Sequence, residues 1–213
     1  MKASHDARGG GADTASTSGW GAEQSRLVTW RDPITTQTTA ASMPGLSYWR
    51  AVADGHLPPP PIGELLRMRV VEVENGHVTF SCTPDASMYN TLGIIHGGAV
   101  CTLLDTVTGC ALHTTLPEGV GYTTVEIKVN YLKAVTVASG LLTAVGTVVK
   151  TGSRIGFTEG KVADASGKLV ATATSTLLIF DLRSLAKHSS TNGNPSTEEA
   201  RCSNHTQRHH RSW

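Results

Sequence analysis

Residues 97–112 place the strongest constraint on how this chain can fold. No proline occurs between Gly98 and Pro117, and Ala99, Val100, Leu103, Leu104, Val107, Cys110, Ala111 and Leu112 form an apolar set too broad for one stripe. A helix hydrophobic nearly all round is a buried one, so the rest of the chain has to cover it. His96-Gly97-Gly98 stands at its start, and one carboxylate, Asp105, lies inside it. A carboxylate is costly to bury without a partner, so Asp105 calls for an explanation.

The cover is readable in the flanks. Residues 66–74 alternate imperfectly, Asn75-Gly76 is a strong hairpin signal, and residues 77–82 alternate on the return. Beyond the helix come four β-rich stretches, at about 121–132, 138–149, 153–164 and 168–181. Turn-forming residues at 138–140, 151–153 and 164–167 separate them. Val125, Ile127, Val129 and Tyr131 alternate with Glu126, Lys128 and Asn130, the pattern of a half-buried strand. Short turns predict antiparallel neighbours, and one helix wrapped by one sheet predicts a two-layer α+β domain over residues 63–182.

The ends differ. Residues 1–44 are rich in Gly, Ser, Thr and Ala and hold few large apolar side chains, so disorder is expected through most of them. The Trp30–Pro33 stretch is either a docking element or plain tail. Residues 45–62 read as a short helix and a Pro-rich linker: 45–55 form the amphipathic helix, with Leu46, Trp49, Ala53 and Val52 towards one face and Gly55 as its stop. The prolines Pro58 to Pro61 then predict an extended spacer. Residues 183–213 are polar, and His205, His209 and His210 read as disordered sequence rather than as a metal site.

Composition excludes several classes. The net charge is +1 with no long basic run, so neither nucleic acid nor an anionic membrane surface is an expected partner. No secretory leader opens the chain and no apolar run reaches about 18 residues, which reads as a soluble cytoplasmic protein. Cys82, Cys101, Cys110 and Cys202 form no CxxC or zinc spacing; they read as reduced thiols, two of them in the buried helix. No metal or cofactor is expected.

With the element order, the segment from Asn90 through His96-Gly97-Gly98 to Asp105 resembles the hotdog-fold thioesterases, in particular the PaaI-like acyl-CoA thioesterases of phenylacetate degradation. The resemblance covers roughly residues 61–182. It implies an acyl-CoA thioesterase with active sites between subunits. Asn90 would be the active-site Asn, the Gly97 amide would polarise the thioester carbonyl, and Asp105 would be the catalytic carboxylate. Thr124, in Thr-Val-Glu-Ile-Lys-Val-Asn-Tyr, would help hold the attacking water.

Residue chemistry suits that reading. The first N–H groups of a helix have no internal partner and lie at the positive end of its dipole. Glycines there allow a carbonyl oxygen close to the backbone, the donor arrangement that contributes most to acyl transfer. A carboxylate can take a proton from water or attack to give a mixed anhydride, and both remain open. The eight steps from Gly97 to Asp105 span about 12 Å of helix, whereas a catalytic carboxylate works within about 3 Å of its target. One chain therefore does not easily bring both to one thioester. Two antiparallel copies would, which predicts an obligate homodimer, with a dimer of dimers left open.

Each residue also has a plainer account. Gly97 and Gly98 fit an ordinary helix start, Asp105 a residue satisfied by Thr102 or Thr108, Asn90 a turn, and Thr124 an ordinary strand position. His96 reads as structural or orienting. His96, Gly98, Arg154 and Lys133 are the candidate substrate-binding residues, the two cations for the CoA phosphates. The alternative functions are a non-catalytic module binding acyl-CoA or acyl carrier protein, which would not need Asp105, and a hydratase or dehydratase, which would want a paired His and carboxylate.

Overall fold

In the computed structural model, which describes residue 19 and residues 21–183, the apolar segment is a 17-residue helix, α4 (Gly97–His113). Before it come α1 (Pro33–Ala41), α2 (Gly45–Ala53), α3 (Pro61–Leu65), β1 (Met68–Glu74) and β2 (His77–Cys82). After it come β3 (Val120–Tyr131), β4 (Leu142–Thr151), β5 (Ile155–Ala163) and β6 (Leu169–Asp181). The strands form one sheet in the order β1-β2-β4-β5-β6-β3, with every pairing antiparallel. The result is the expected two-layer α+β arrangement, with Leu103, Leu104, Val107 and Leu112 of α4 at 0–1% exposure.

Two kinds of contact seat the helix. Apolar side chains of β2, β4, β5 and β6, such as Val78, Leu142, Val162 and Val170, face it from the sheet. Under its axis the sheet is stripped to glycine. A Cβ on Gly146 would collide with the Val107 carbonyl, one on Gly156 with the Leu112 side chain, and one on Gly160 would press on Thr108 and Leu104. Glycine in a strand interior marks such a close approach. The far end of α4 is tied to the first hairpin, where the Gly76 amide donates to Thr114 Oγ1 at 2.7 Å. Gly76 itself takes φ 76°, as the Asn-Gly turn requires.

Strand order departs from the expected run of hairpins at one place. β3 does not pair with β4. It pairs with β6 and forms an edge, while β4 lies between β2 and β5. The connection, residues 132–141, is too long for a hairpin loop and crosses the start of α4, where buried Val135 accepts from the Ile95 amide at 2.8 Å.

β3 also breaks its own alternation. Its register against β6 slips between Thr124 and Glu126, so Val125 is a bulged residue. The sequence pattern groups Val125 with Ile127 and Val129; instead Val125 is 56% exposed, and Tyr122, Thr124, Ile127 and Val129 turn towards the helix. Ser175 Oγ donates to the Glu126 carbonyl at 2.8 Å and steadies the bulge.

The N-terminal stretch holds a helix that composition does not suggest. Within the 1–44 stretch, α1 is started by Asp32, whose carboxylate accepts from the Ile34 and Thr35 amides, with Pro33 in the first turn. Its threonine hydroxyls fold back onto helix carbonyls. Trp30 does not dock and is 61% exposed. The amphipathic helix is present as α2, but its buried side chains are Tyr48, Trp49 and Val52, with Ala53 exposed. The proline run is extended only up to Pro60; Pro61 occupies the first turn of α3, where a missing N–H costs nothing. The expected histidines of the C-terminal stretch lie outside the described residues.

α2 covers the C-terminal end of α4. Trp49 Nε1 donates to His113 Nδ1 at 3.0 Å, and Tyr48 and Tyr122 pack on the same imidazole. Burial lowers the His113 pKa from 6.5 to about 4. The fold therefore favours neutral imidazole. That stability is fully present above pH 6.5 and is lost as pH falls towards about 4. A shift of this size corresponds to roughly 3 kcal/mol. Urea unfolding at pH 7 and pH 4.5, on wild type and His113→Gln, should show a smaller acid loss in the variant. Separately, Gly146→Ala should lower stability by about 1–3 kcal/mol or more, read as a drop in Tm, because either the helix or β4 must move.

Candidate active site

The site residues are assembled by the approach to α4. The loop before the helix is closed by Asn90, whose side-chain oxygen accepts from the Leu92 amide at 2.9 Å and the Ile94 amide at 3.4 Å. Backbone bonds from His96 to Met88 and from Asn90 to Ile94, each 2.8 Å, hold it in place. The turn role for Asn90 is thus real, yet it uses only the oxygen. The Asn90 amide nitrogen keeps its donors, and the residue lines a cavity of about 310 Å³.

Gly97 lines the same cavity, with Ile94, Val100, Tyr131 and Lys133. His96 is the N-cap, and its Nδ1 accepts from the Gly98 amide at 2.9 Å. The Ala99 amide turns back onto the His96 carbonyl. The Gly97 N–H has no hydrogen-bond partner among the described residues. One of the two glycine amides is therefore occupied and the other is open, at the positive end of a 17-residue helix.

Asp105 is half-buried on α4, and neither threonine suggested as its internal partner touches its carboxylate. Thr102 donates to the Gly98 carbonyl and Thr108 to the carbonyls of Leu104 and Asp105. Thr124 instead donates from Oγ1 to Asp105 Oδ1 at 2.8 Å. The bulge at Val125 makes this contact possible, because it turns Thr124 inward on a strand whose later inward residues have odd numbers.

In one chain the site falls into two halves. Asn90, Gly97 and Lys133 share the cavity, whereas Asp105 and Thr124 lie outside its lining. The two candidate cations divide likewise. Lys133 lies beside the cavity but is paired with buried Asp164, Nζ to Oδ2 at 2.7 Å. Arg154 is exposed in the β4–β5 turn, at the other end of β5 from Asp164, where its carbonyl accepts from the Ile179 amide. Sequence reasoning missed Asp164 and the hydroxyl of Tyr131, which donates to the Gly97 carbonyl at 2.9 Å. Asp164 opens the turn at 164–167, and a carboxylate there was the one available signal.

The cysteines carry no separate chemistry. Cys82, Cys101 and Cys110 are free thiols; burial pushes Cys82 up to about 11 and Cys110 well above its ordinary value, so both are neutral. Cys202 lies outside the described residues.

A single helix embraced by an antiparallel sheet, with a His-Gly-Gly start, is the hotdog fold. Residues 92–171 match the Thioesterase superfamily model. A curated protein of Saccharolobus solfataricus with a provisional esterase name is 28% identical over 126 residues, which cover 59% of this chain and 88% of the relative. A Ralstonia eutropha structure described as phenylacetic acid degradation-related aligns at 26% identity and a TM-score of 0.57, over 62% of this chain and 98% of its own. A Streptococcus mutans protein solved with acetyl-CoA aligns at 28% identity and a TM-score of 0.50, over 54% and 89%. The fold is thus that of the PaaI-like hotdog proteins, and residues 92–171 are similar to the thioesterase superfamily. These relationships support hydrolase chemistry of the thioesterase kind.

The cavity wall yields a test. The Lys133 ammonium, the Ser166 hydroxyl and two backbone amides hold the Asp164 carboxyl well below the usual carboxylate range. A depressed carboxyl adds stability above its unfolded pKa and loses it as pH falls. Asp164→Asn should lower the urea midpoint at pH 7, and its difference from wild type should shrink below about pH 4.

Proposed function

We propose that this protein is an acyl-CoA thioesterase that hydrolyses the thioester to free acid and CoA, acting as a homodimer with two shared sites. The observation that carries this is the division of the site. In one chain the donors Asn90 and Gly97 open on a cavity that does not include Asp105, eight residues further along the same helix. A second copy related by a twofold axis would bring Asp105, held by Thr124, to the donors of the first.

The edge position of β3 supports the same reading. Its outer side has no strand neighbour among the described residues, and Val125, Tyr131 and Leu132 on or beside it are 55–56% exposed. A long apolar edge is a liability unless covered, and antiparallel pairing of two β3 strands would cover it.

In the proposed reaction the thioester oxygen accepts from the Gly97 amide and from the Asn90 side chain. Asp105 of the partner subunit then acts in one of two ways. As general base it takes a proton from water, whose oxygen attacks the carbonyl carbon; the C–S bond breaks and the CoA thiolate leaves, to be protonated. As nucleophile it forms a mixed anhydride that water then hydrolyses. The hydrogen bond from Thr124 engages Oδ1 and leaves Oδ2 to be turned to the reacting centre. His96 does not suit a hydratase base, since its Nδ1 is engaged by Gly98. Arg154, exposed and without a side-chain partner among the described residues, is the better candidate for CoA phosphates than Lys133, which Asp164 neutralises. The Streptococcus mutans neighbour bound to acetyl-CoA supports the CoA class. No helix among the described residues is long and apolar enough to cross a membrane, and the free thiols fit the cytoplasmic setting that belongs to this proposal.

Thiol release from a panel of acyl-CoAs tests the activity. Wild type should turn over at least one member, and Asp105→Asn should cut kcat by about 10²-fold or more. Binding without turnover by wild type would favour the non-catalytic module. Size measurement in the same buffer should find a dimer or a dimer of dimers; an active monomer would refute the shared site.

A further inference from the structure

We propose that Tyr131 is the positioning residue that aims the Gly97 amide, an inference that rests on the thioesterase reading above. Two successive glycines leave a backbone with more conformational freedom than any other pair. A donor built on them is not preorganised by sequence alone, and preorganisation is what makes such a donor effective. Something must hold the turn.

The peptide unit joining Gly97 to Gly98 is clamped at both ends. Its N–H donates to His96 Nδ1 at 2.9 Å, and its carbonyl accepts from the Tyr131 hydroxyl at 2.9 Å. The preceding peptide, which carries the open Gly97 N–H, is held at its own carbonyl by the Ala99 amide at 2.9 Å, so the clamp fixes the other side of the Gly97 Cα and with it the glycine's two torsions. Tyr131 also explains why a glycine stands there. A Cβ on Gly97 would come 3.2 Å from the Tyr131 ring, tighter than an ordinary contact. The ring therefore lies directly on the donor residue, and Tyr131 lines the same cavity as Gly97 and Asn90.

The anchor of Tyr131 is rigid at its backbone. It is the last residue of β3 and pairs with Ala171 of β6, a fully buried position. Its side chain is 55% exposed and touches the cavity rather than the core. Loss of the hydroxyl alone should consequently spare the fold while loosening the donor.

Wild type and Tyr131→Phe are compared in two measurements. The first is kcat and KM with the best acyl-CoA substrate; the second is amide hydrogen exchange at Gly98, followed by NMR. One hydrogen bond of ordinary strength corresponds to roughly fivefold. The variant should show kcat lower by about that factor with KM little changed, and faster Gly98 exchange, whereas a merely structural tyrosine would leave both alone. Unchanged kcat in an active enzyme, or unchanged Gly98 exchange, overturns the proposal. If wild type hydrolyses no acyl-CoA, the thioesterase reading fails by itself, and the exchange measurement alone decides whether Tyr131 holds the glycine turn.

Discussion

The close approach of α4 to the sheet is the constraint from which the other features of the domain follow. Helix and sheet ordinarily stand apart by the thickness of two layers of side chains. Here glycines at 146, 156 and 160 remove one layer along the helix axis, so the backbone of α4 at Val107 meets β4 directly. The sheet can then curl around the helix, and apolar residues on most sides of α4 find cover. The same approach brings Asp105 within reach of a hydroxyl on β3.

That reach depends on a second departure from regularity. An unbroken β3 would turn either Thr124 or Ile127 and Val129 towards the helix, never all three. The extra residue at Val125 resolves the conflict between holding the Asp105 carboxylate and packing the helix: the strand turns the Thr124 hydroxyl and, further on, apolar side chains towards α4. Bulges that re-aim a side chain beside a functional site are a recurring device. The polar half and the apolar half of β3 thereby serve different ends of the same helix, and the donors at Gly97 stay apart from the acid at Asp105.

Much of this was readable from residues alone, and the failures have physical causes. Asn75-Gly76 marked its hairpin because its glycine readily takes the positive φ found at position 76. The limits of α4 were readable because His96-Gly97-Gly98 and Pro117 bracket one long apolar run. Strand parity in β3 was not, because Val125 is apolar and fits the alternation perfectly; the slip is decided by the register with β6 and by Ser175, neither of which periodicity can see. The edge position of β3 depends on the path of residues 132–141 across the helix start, a tertiary matter. α1 escaped notice because its threonines and alanines bury nothing. In the site, the grouping of Asn90 with Gly97 followed from their spacing to the helix start. The neutralisation of Lys133 by Asp164 joins residues 31 apart in sequence, and no local pattern announces it.

The tie between Trp49 and His113 bears on where the autonomous unit of this protein begins. The segment shared with the superfamily, residues 92–171, includes His113 but stops well short of α2. Gly45 packs so tightly on the His113 carbonyl that no side chain could stand there, and its amide donates to Leu116. α2 is thus a fitted lid over the exit of the central helix rather than an appendage. A fragment trimmed to the shared segment would uncover an aromatic-lined hollow around an unprotonated imidazole, so the natural cut site for expression lies upstream of Pro44.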